Sequence, residues 1–173
     1  EGFACGLDSS GAAWCWGMGK NGQLGTGLGE ESMRSVAVAG DHRFVDLCAG
    51  YVHACGLDNG GVAWCWGENW EGQLGNSSDQ RRLAPTRVET EERFSQISCG
   101  HQHTCALGVN GGVWCWGFLG WQVTMDYYQM LTPTLVDPAA GLVRIDGKFT
   151  VLSVIDSEGR GRLIPDPTVC DPD

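Results

Sequence analysis

Cysteine is the residue whose frequency and spacing in this chain first suggest chemistry. Nine cysteines occur in 173 residues, and proteins use cysteine as a metal ligand, as a nucleophile or as half of a disulfide. Six of them form three pairs, each ten residues apart: Cys5 and Cys15, Cys55 and Cys65, Cys105 and Cys115. There is no Cys-x-x-Cys pair, and the four histidines lie outside zinc-finger spacings, so the pattern favours disulfides over a metal site. We therefore expect an oxidising compartment: the cell exterior, the periplasm or the lumen of the secretory pathway.

Catalytic and cofactor-binding motifs are missing from the sequence. It contains no nucleophile elbow, no His-Glu-x-x-His, no phosphate loop and no calcium loop. Its carboxylates, such as Glu30 and Glu31, fall in polar stretches typical of a solvated surface. The sequence thus predicts no catalytic residue, no cofactor and no bound metal, and we expect a protein that is not an enzyme.

The charge of the chain narrows the class of partner. The net charge is −10, and the lysines are Lys20 and Lys148. Nucleic acids and anionic membrane surfaces attract clustered cations, so this balance argues against both as partners. No apolar run approaches the ~20 residues of a membrane-spanning helix, which predicts no direct membrane insertion. The chain begins Glu1-Gly2 without methionine, and we expect processing or truncation to have removed what preceded it.

An internal repeat of 50 residues must position these cysteines. The segment Phe3-Ala4-Cys5-Gly6-Leu7 has related copies 50 and 100 residues later, and each copy is followed by Trp-Cys-Trp-Gly. Each unit is typical of a β-hairpin, with short apolar runs on either side of a glycine-containing turn. Further strand candidates lie between the hairpins: 35–39, 44–49, 85–88, 94–99, 133–136 and 142–145. About four short strands in 50 residues is the size of one blade of a β-propeller, so the sequence predicts an all-β fold.

The hairpins also predict which cysteines pair. Two residues that face each other across a hairpin have Cβ atoms ~5 Å apart, which suits a disulfide. We expect the two cysteines of each hairpin to be bonded, at roughly 2–3 kcal/mol for each short loop closed, with free buried thiols as the alternative. Cys48, Cys99 and Cys170 then remain. Since three cannot all pair, at least one bonds outside the chain or stays free, which allows an inter-chain disulfide through any of them.

A fourth, degenerate copy of the hairpin follows near residues 150–163. Aligned by its glycines, this copy has Leu152 and Arg162 at the two cysteine positions, and it lacks both tryptophans. The propeller repeats thus extend over residues 1–163, with intact hairpins near 3–16, 53–66 and 103–116. Residues 164–173, with three prolines and three aspartates, are predicted to form an irregular tail.

The recurring string resembles a known family of propeller repeats. The string is similar to the repeats of the regulator of chromosome condensation family, in a secreted, cysteine-bearing form. It consists of Cys-Gly-Leu-Asp, then Gly-x-x-Trp-Cys-Trp-Gly, then Gly-Gln-Leu-Gly. The matching segments are 17–25, 67–75, 50–53 and 100–103. The resemblance implies a seven-bladed ring, whereas the strands counted here, one hairpin and then three sets of four, make about half of one. The other half then belongs to a longer chain or to a second chain.

Histidine and tryptophan at fixed repeat positions have structural explanations. His53 and His103 each precede a cysteine by two residues and suggest thiol or metal chemistry, yet residues shared by repeats usually serve the repeat. We expect both to be buried and hydrogen-bonded. Tryptophans flank the second cysteine of each hairpin, where alternate residues share one face of the strand. We expect these rings to pack in the blades rather than to hold a ligand.

A glycosylation sequon, Asn76-Ser77-Ser78, follows the second Gly-Gln-Leu-Gly segment. A turn at this place of the repeat is expected to be exposed. Asn76 is then a glycan site if the host is a eukaryote.

The third repeat departs from the others where a polar Gly-Gln-Leu-Gly loop should follow. Residues 118–131 are instead rich in aromatic side chains and methionine, the composition of interface hot spots. We predict that this segment binds another protein through the following residues: Phe118, Leu119, Trp121, Met125, Tyr127, Tyr128 and Met130. The alternative is that the segment folds back over its own blade.

These features favour a non-enzymatic, extracellular protein-binding or scaffold module, either an accessory subunit or a fragment of a larger assembly. Its partner is another protein or the remaining propeller blades from another chain. Two alternatives stay open: a secreted propeller that inhibits an enzyme, and a propeller that binds carbohydrate. The guanine-nucleotide exchange that the family resemblance also implies is disfavoured by the acidity, the expected disulfides and the absence of a basic localisation run.

Overall fold

A computed structural model describes residues 2–121, 127–138, 142–148 and 151–164. The described residues form fourteen strands: β1 (Phe3–Leu7), β2 (Ala13–Gly17), β3 (Ser32–Ala37), β4 (Phe44–Ala49), β5 (His53–Asp58), β6 (Ala63–Gly67), β7 (Arg82–Arg87), β8 (Phe94–Cys99), β9 (His103–Gly108), β10 (Val113–Trp121), β11 (Tyr127–Asp137), β12 (Leu142–Lys148), β13 (Val151–Asp156) and β14 (Gly161–Ile164). Within these ranges there is no helix, and hence none that is long and apolar enough to cross a membrane.

The strands form four antiparallel sheets in sequence order. The first contains β1–β3, the second β4–β7, the third β8–β11 and the fourth β12–β14. The predicted grouping of one hairpin followed by three sets of four is wrong, because β3 pairs with β2, with Val36 opposite Cys15, and so belongs to the first sheet. Two complete blades are therefore flanked by two three-stranded ones. Among the described residues, the first lacks an innermost strand and the last lacks an outermost strand.

An aspartate organises the turn of three hairpins. Oδ1 of Asp58 accepts hydrogen bonds from the N–H groups of Gly60 and Val62 at 2.9 and 3.0 Å. Asp8 and Asp156 accept the same bonds from residues two and four positions further on. Such side-chain bonds stabilise a tight turn locally. They help to set the register in which the paired cysteines of the first two hairpins face each other.

The same register corrects the alignment of the fourth hairpin. Ser153 faces Leu163 where the other hairpins have two cysteines, so these residues, rather than Leu152 and Arg162, replace the cysteines. The alignment is wrong by one position because Gly147 faces Leu152 and thus stands one place before the glycine of the other repeats. A one-residue slip moves every side chain to the opposite face of a strand.

Each complete blade places one aromatic pair in a core that it shares with neighbouring sheets. Phe44 and Trp66 both belong to the second sheet, with ring centroids 5.9 Å apart, and they lie in an apolar core that also contains residues of the first sheet. Phe94 and Trp116 form the same pair in the third sheet, with centroids 6.0 Å apart, in a larger core that extends from the second sheet to the fourth. Offset or tilted aromatic pairs at this separation add to the free energy gained by burial. The repeat thus places one large indole ring in each of two blade interfaces.

Candidate protein interaction site

The Gly-Gln-Leu-Gly loops attach each blade to the next. In the first loop, Gly25 has a φ of +66°, and a Cβ there would lie 2.7 Å from Nε1 of Trp66 in the second blade. Trp66 Nε1 donates to the carbonyl oxygen of Gln23 at 3.0 Å, and the N–H of Gly27 donates to the carbonyl of Leu83 at 2.7 Å. The loop therefore covers both an indole ring and the outer strand of the next blade. This approach requires glycine at position 25, for its φ and for its missing side chain.

The second loop repeats the contact on the third blade. Gly75 lies so close to Trp116 that a Cβ would be 2.8 Å from the ring, and the N–H of Ser77 donates to the carbonyl of Leu131 at 3.0 Å. Trp66 and Trp116 are both fully buried. Their place between blades agrees with the packing role that the repeat predicts for tryptophan.

The first blade presents the same positions without a loop to cover them. Trp16 stands at the place of the two buried tryptophans, but it is 41% exposed, and Met33, the equivalent of Leu83, is 91% exposed. β5 and β9 each pair with an inner strand, whereas among the described residues β1 has none. We call Trp16, Met33 and the unpaired edge of β1 the open face.

Side-chain acceptors on the inner strands form a second contact between blades. Oδ2 of Asp46 accepts the N–H of Ile97 at 3.0 Å, and Oε1 of Gln96, at the same position one blade later, accepts the N–H of Ile145 at 2.8 Å. The corresponding donor in the second blade is the N–H of Leu47, which bonds at 3.0 Å to Oδ1 of its own neighbour Asp46. The N–H of Leu47 is thus bonded within its own strand, whereas its equivalents in the next two blades are bonded to a side chain of the preceding blade.

Residues 118–121 and 127–131 extend the strands of a hairpin. β10 continues through Phe118, which faces Gln129 on β11. Met130 is buried, and Leu119 packs against the larger core. Both side chains therefore pack against the core within this chain, and Met130 is buried there.

The other residues of this predicted contact lie further out along the hairpin. Trp121 faces Tyr127 across it, Tyr128 follows in β11, and Met125 lies outside the described residues. Gln129 Nε2, on the same hairpin, donates to the carbonyl of Trp70 in the second blade. The protein contact assigned to these aromatic residues stays a prediction.

His53 and His103 are buried, and His53 bonds across the interface between the second and third blades. Nε2 of His53 lies 2.9 Å from Oγ1 of Thr104, and the Thr104 hydroxyl donates to the carbonyl of Gln73 at 2.9 Å. The hydroxyl has one proton, so it accepts the imidazole N–H. Burial, with the nearby His103 and His101 as further causes, lowers the pKa of His53 to about 3. His53 is therefore neutral near pH 7 and holds blades together, as its repeat position predicts.

Four disulfides cross-link the described residues. Three lie within hairpins, with Cα atoms 4.1 Å apart, and join Cys5 to Cys15, Cys55 to Cys65, and Cys105 to Cys115. The fourth joins Cys48 of β4 to Cys99 of β8, whose Cα atoms are 5.5 Å apart. The predicted possibility of an inter-chain disulfide through Cys48 or Cys99 is therefore wrong for this structure. The two cysteines lie on neighbouring inner strands at positions that differ by one residue, which brings them within reach of each other. Cys170 lies outside the described residues.

The glycosylation sequon does not present its amide nitrogen. Nδ2 of Asn76 is buried, and Oδ1 of Asn76 accepts a hydrogen bond from Nδ2 of Asn69 at 3.1 Å. The expectation of an exposed Asn76 is wrong, because the residue belongs to the hydrogen-bonded interior of the loop.

Comparisons with known proteins agree with this architecture. The model of the regulator of chromosome condensation (RCC1) repeat matches residues 10–57 and 60–107, and a second model of the same description matches 44–73. No curated protein sequence matches the chain closely enough to transfer a function.

Several solved structures have the same fold. Human WBSCR16 is similar at 19% identity and a TM-score of 0.80, over 94% of this chain and 44% of that one. Yeast RCC1 (Prp20), in its complex with Kap60, is similar at 17% identity and a TM-score of 0.78, over 94% and 41%. The ectodomain of the Physcomitrella patens receptor kinase CR4 is similar at 22% identity and a TM-score of 0.63, over 94% and 38%. This chain thus spans less than half the length of each.

The repeat matches cover more than half of the chain, and the loops they include are those that attach one blade to the next. The four sheets form part of a β-propeller, and the chain belongs to the regulator of chromosome condensation (RCC1) repeat family.

Proposed function

We propose that this chain is a non-enzymatic protein-binding module of an oxidising extracellular compartment, and that further blades or a partner protein dock on its open face. The observation that carries the proposal is the contrast between Trp16, 41% exposed, and Trp66 and Trp116, both fully buried at the same repeat position. A large aromatic side chain that is exposed where its equivalents are covered marks a surface suited to an interface.

The occupant that fits the open face is one more copy of the sequence repeat, which contains the loop of a preceding blade and the inner strand of the first blade. It would bring a Gly-Gln-Leu-Gly loop whose carbonyl accepts the Nε1–H of Trp16, as Gln23 accepts that of Trp66. It would also bring an inner strand to pair with β1 by strand addition. An Asp or Gln on that strand would accept the N–H of Leu47, which now bonds to Asp46.

Three observations support the extracellular and non-enzymatic parts of the proposal. Four disulfides in the described residues suit an oxidising compartment, and the receptor-kinase ectodomain is an extracellular example of the fold. His53 is held neutral in a bond between blades, which leaves it unsuited to acid–base catalysis near pH 7. Yeast RCC1 is itself bound to a protein, Kap60, and protein binding is the function we assign here.

Sedimentation velocity of the oxidised chain tests this proposal. We expect the wild-type chain to associate with rising concentration, because an unpaired strand edge next to exposed apolar side chains favours association. Trp16→Glu should shift the distribution toward the monomer, because covering the face would then desolvate a carboxylate. Val109→Glu, at an exposed residue in the turn of the third hairpin, is the matched control and should associate as the wild type does.

Two results would contradict the proposal. One is a wild-type chain that stays monomeric over the whole micromolar range. The other is an equal loss of association in Trp16→Glu and Val109→Glu, which would assign the effect to charge in general and not to the open face.

A further inference from the structure

Three sulfur atoms from two different disulfides meet between the second and third blades. The Sγ atoms of Cys48, Cys55 and Cys99 all lie within 4.8 Å of one another. Cys48 is bonded to Cys99, and Cys55 is bonded to Cys65. At this separation a thiolate released from one disulfide needs only a small movement to attack the other.

The two disulfides differ in exposure to solvent. Cys55 and Cys65 are fully buried and Cys99 nearly so, whereas Cys48 is half-buried. A thiol in solution therefore has access to the Cys48–Cys99 bond and not to the Cys55–Cys65 bond. Since Cys48 also faces Cys55 directly across β4 and β5, the accessible disulfide adjoins the inaccessible one.

We propose that the Cys48–Cys99 disulfide is a thiol-exchange site that passes exchange on to the buried Cys55–Cys65 disulfide. An external thiolate attacks Sγ of Cys48, which forms a mixed disulfide and releases Cys99 as a thiolate. Sγ of Cys99 then attacks Sγ of Cys55, which forms a Cys55–Cys99 bond and releases Cys65 as a thiolate that takes a proton from water. Each step breaks one S–S bond and forms another, so that two disulfides and one thiolate are present before and after.

The third blade supplies an internal control for this reaction. Cys105 and Cys115 form an equivalent hairpin disulfide that is buried almost as completely as the one in the second blade. Opposite Cys105 stands Ser98, at the place where Cys48 stands opposite its own hairpin cysteine. Because among the described residues no second disulfide adjoins Cys105 and Cys115, the third-blade disulfide should stay intact under the same conditions.

Treatment of the native oxidised chain with reduced glutathione tests the proposal. After trapping with N-ethylmaleimide, peptide mapping should recover glutathione on Cys48, a linked Cys55–Cys99 peptide and the maleimide on Cys65. Labelling of Cys65 should exceed that of Cys115 by at least about tenfold, because a positioned thiolate acts at an effective concentration far above that of a free thiol. Equal labelling of the two, or a label confined to Cys99, would overturn the proposal.

The variant Cys48→Ser removes the need for an external thiol. It leaves Cys99 as a thiol beside Cys55, so the maleimide should divide between Cys99 and Cys65 without glutathione. A label that stays wholly on Cys99 would show that the neighbouring disulfide does not exchange.

Ser98→Cys tests which sulfur attacks the buried disulfide. It places a thiol opposite Cys105, at the position of Cys48 and not of Cys99, and the maleimide should stay on the introduced thiol. If Cys115 is labelled as strongly as Cys65 is in Cys48→Ser, the facing position carries the exchange and the route through Cys99 is wrong.

Discussion

Replacing Trp16 and Trp66 by alanine, one at a time, measures what the cover of a neighbouring blade contributes to stability. Trp66 is fully buried, and its Nε1 donates to the carbonyl of Gln23 at 3.0 Å. Trp66→Ala should lower the free energy of unfolding by about 5 kcal/mol, because it loses roughly 200 Å² of buried area, leaves a cavity and unpairs a carbonyl. Trp16 is 41% exposed, so Trp16→Ala loses roughly half that area without a closed cavity and should cost about 2–3 kcal/mol.

Denaturant unfolding of the oxidised chain, followed by far-ultraviolet circular dichroism, measures both losses. At a constant slope with denaturant, the shift in midpoint gives the difference in the free energy of unfolding. Trp66→Ala should be less stable than Trp16→Ala by at least about 2 kcal/mol. Equal losses in the two variants would refute the inference that Trp16 lacks a covering loop.

A duplicated repeat extends this test to the nature of the occupant. A second copy of residues 1–50 joined ahead of residue 1 keeps the 50-residue period and places a Gly-Gln-Leu-Gly loop and an inner strand before β1. In that protein, alanine at the original Trp16 should cost about as much as Trp66→Ala, since the ring is now covered. A cost still near 2–3 kcal/mol would mean that a repeat blade does not fit the open face.

Three further outcomes are expected. Gly75→Ala should lower the free energy of unfolding by about 3 kcal/mol in denaturant, because Gly75 has a positive φ and a Cβ there would lie 2.8 Å from an indole carbon. Gly27 also has a positive φ but lies in open space, so Gly27→Ala should cost about 1 kcal/mol. Equal costs would contradict the loop packing. Because the pKa of His53 is lowered from 6.5 to about 3, the unfolded chain binds more protons than the folded chain between these pH values. The free energy of unfolding should therefore fall as the pH falls through that window, more steeply than in His53→Gln by about 1.4 kcal/mol per pH unit. Parallel pH profiles of the two proteins would refute this. Trp121→Ala and Tyr128→Ala should weaken association in sedimentation velocity and leave the thermal unfolding midpoint nearly unchanged. If instead the midpoint falls by several degrees and association stays normal, both residues belong to the core and not to a protein contact.

Contacts that recur with the repeat could be predicted from the sequence, and contacts between unlike positions could not. The burial of Trp66 and the structural role of His53 follow from positions that recur in the second and third repeats, since a residue that recurs with the repeat usually serves a contact between blades. The Cys48–Cys99 bond joins inner strands of two different blades. The sequence predicts pairing inside a hairpin, where two strands are adjacent in the chain, but it does not say which faces of separate blades come into contact.

The segment with no second copy was the hardest part of the chain to predict. Its composition suggests an exposed loop, yet the chain extends β10 and β11 by several residues. Met130 stands at the position where β7 begins with Arg82, and it is buried. Aromatic and β-branched residues favour strands as strongly as they favour interfaces. Composition alone therefore does not separate a hairpin from a binding loop, and only the register across the hairpin decides which side chains remain available.

Repetition also allows an unmet contact to be specified from within one chain. One blade later, the equivalents of three residues have their partners. The equivalent of Trp16 is an indole under a glycine loop, and the equivalent of Met33 is an apolar side chain of the outer strand beside that loop. The equivalent of the Leu47 N–H is a backbone N–H bonded to a side-chain acceptor. The loop belongs to the blade before the one that carries the tryptophan, and the acceptor belongs to the inner strand of the tryptophan's own blade. Both lie in one 50-residue repeat of the sequence, so a single added repeat would satisfy all three together. That requirement is stricter than apolar character alone, because a partner that merely covered Trp16 would leave Leu47 bonded to Asp46. The protein contact predicted for residues 118–131 includes none of these three residues, so variants of Trp16 and of Trp121 should weaken association independently.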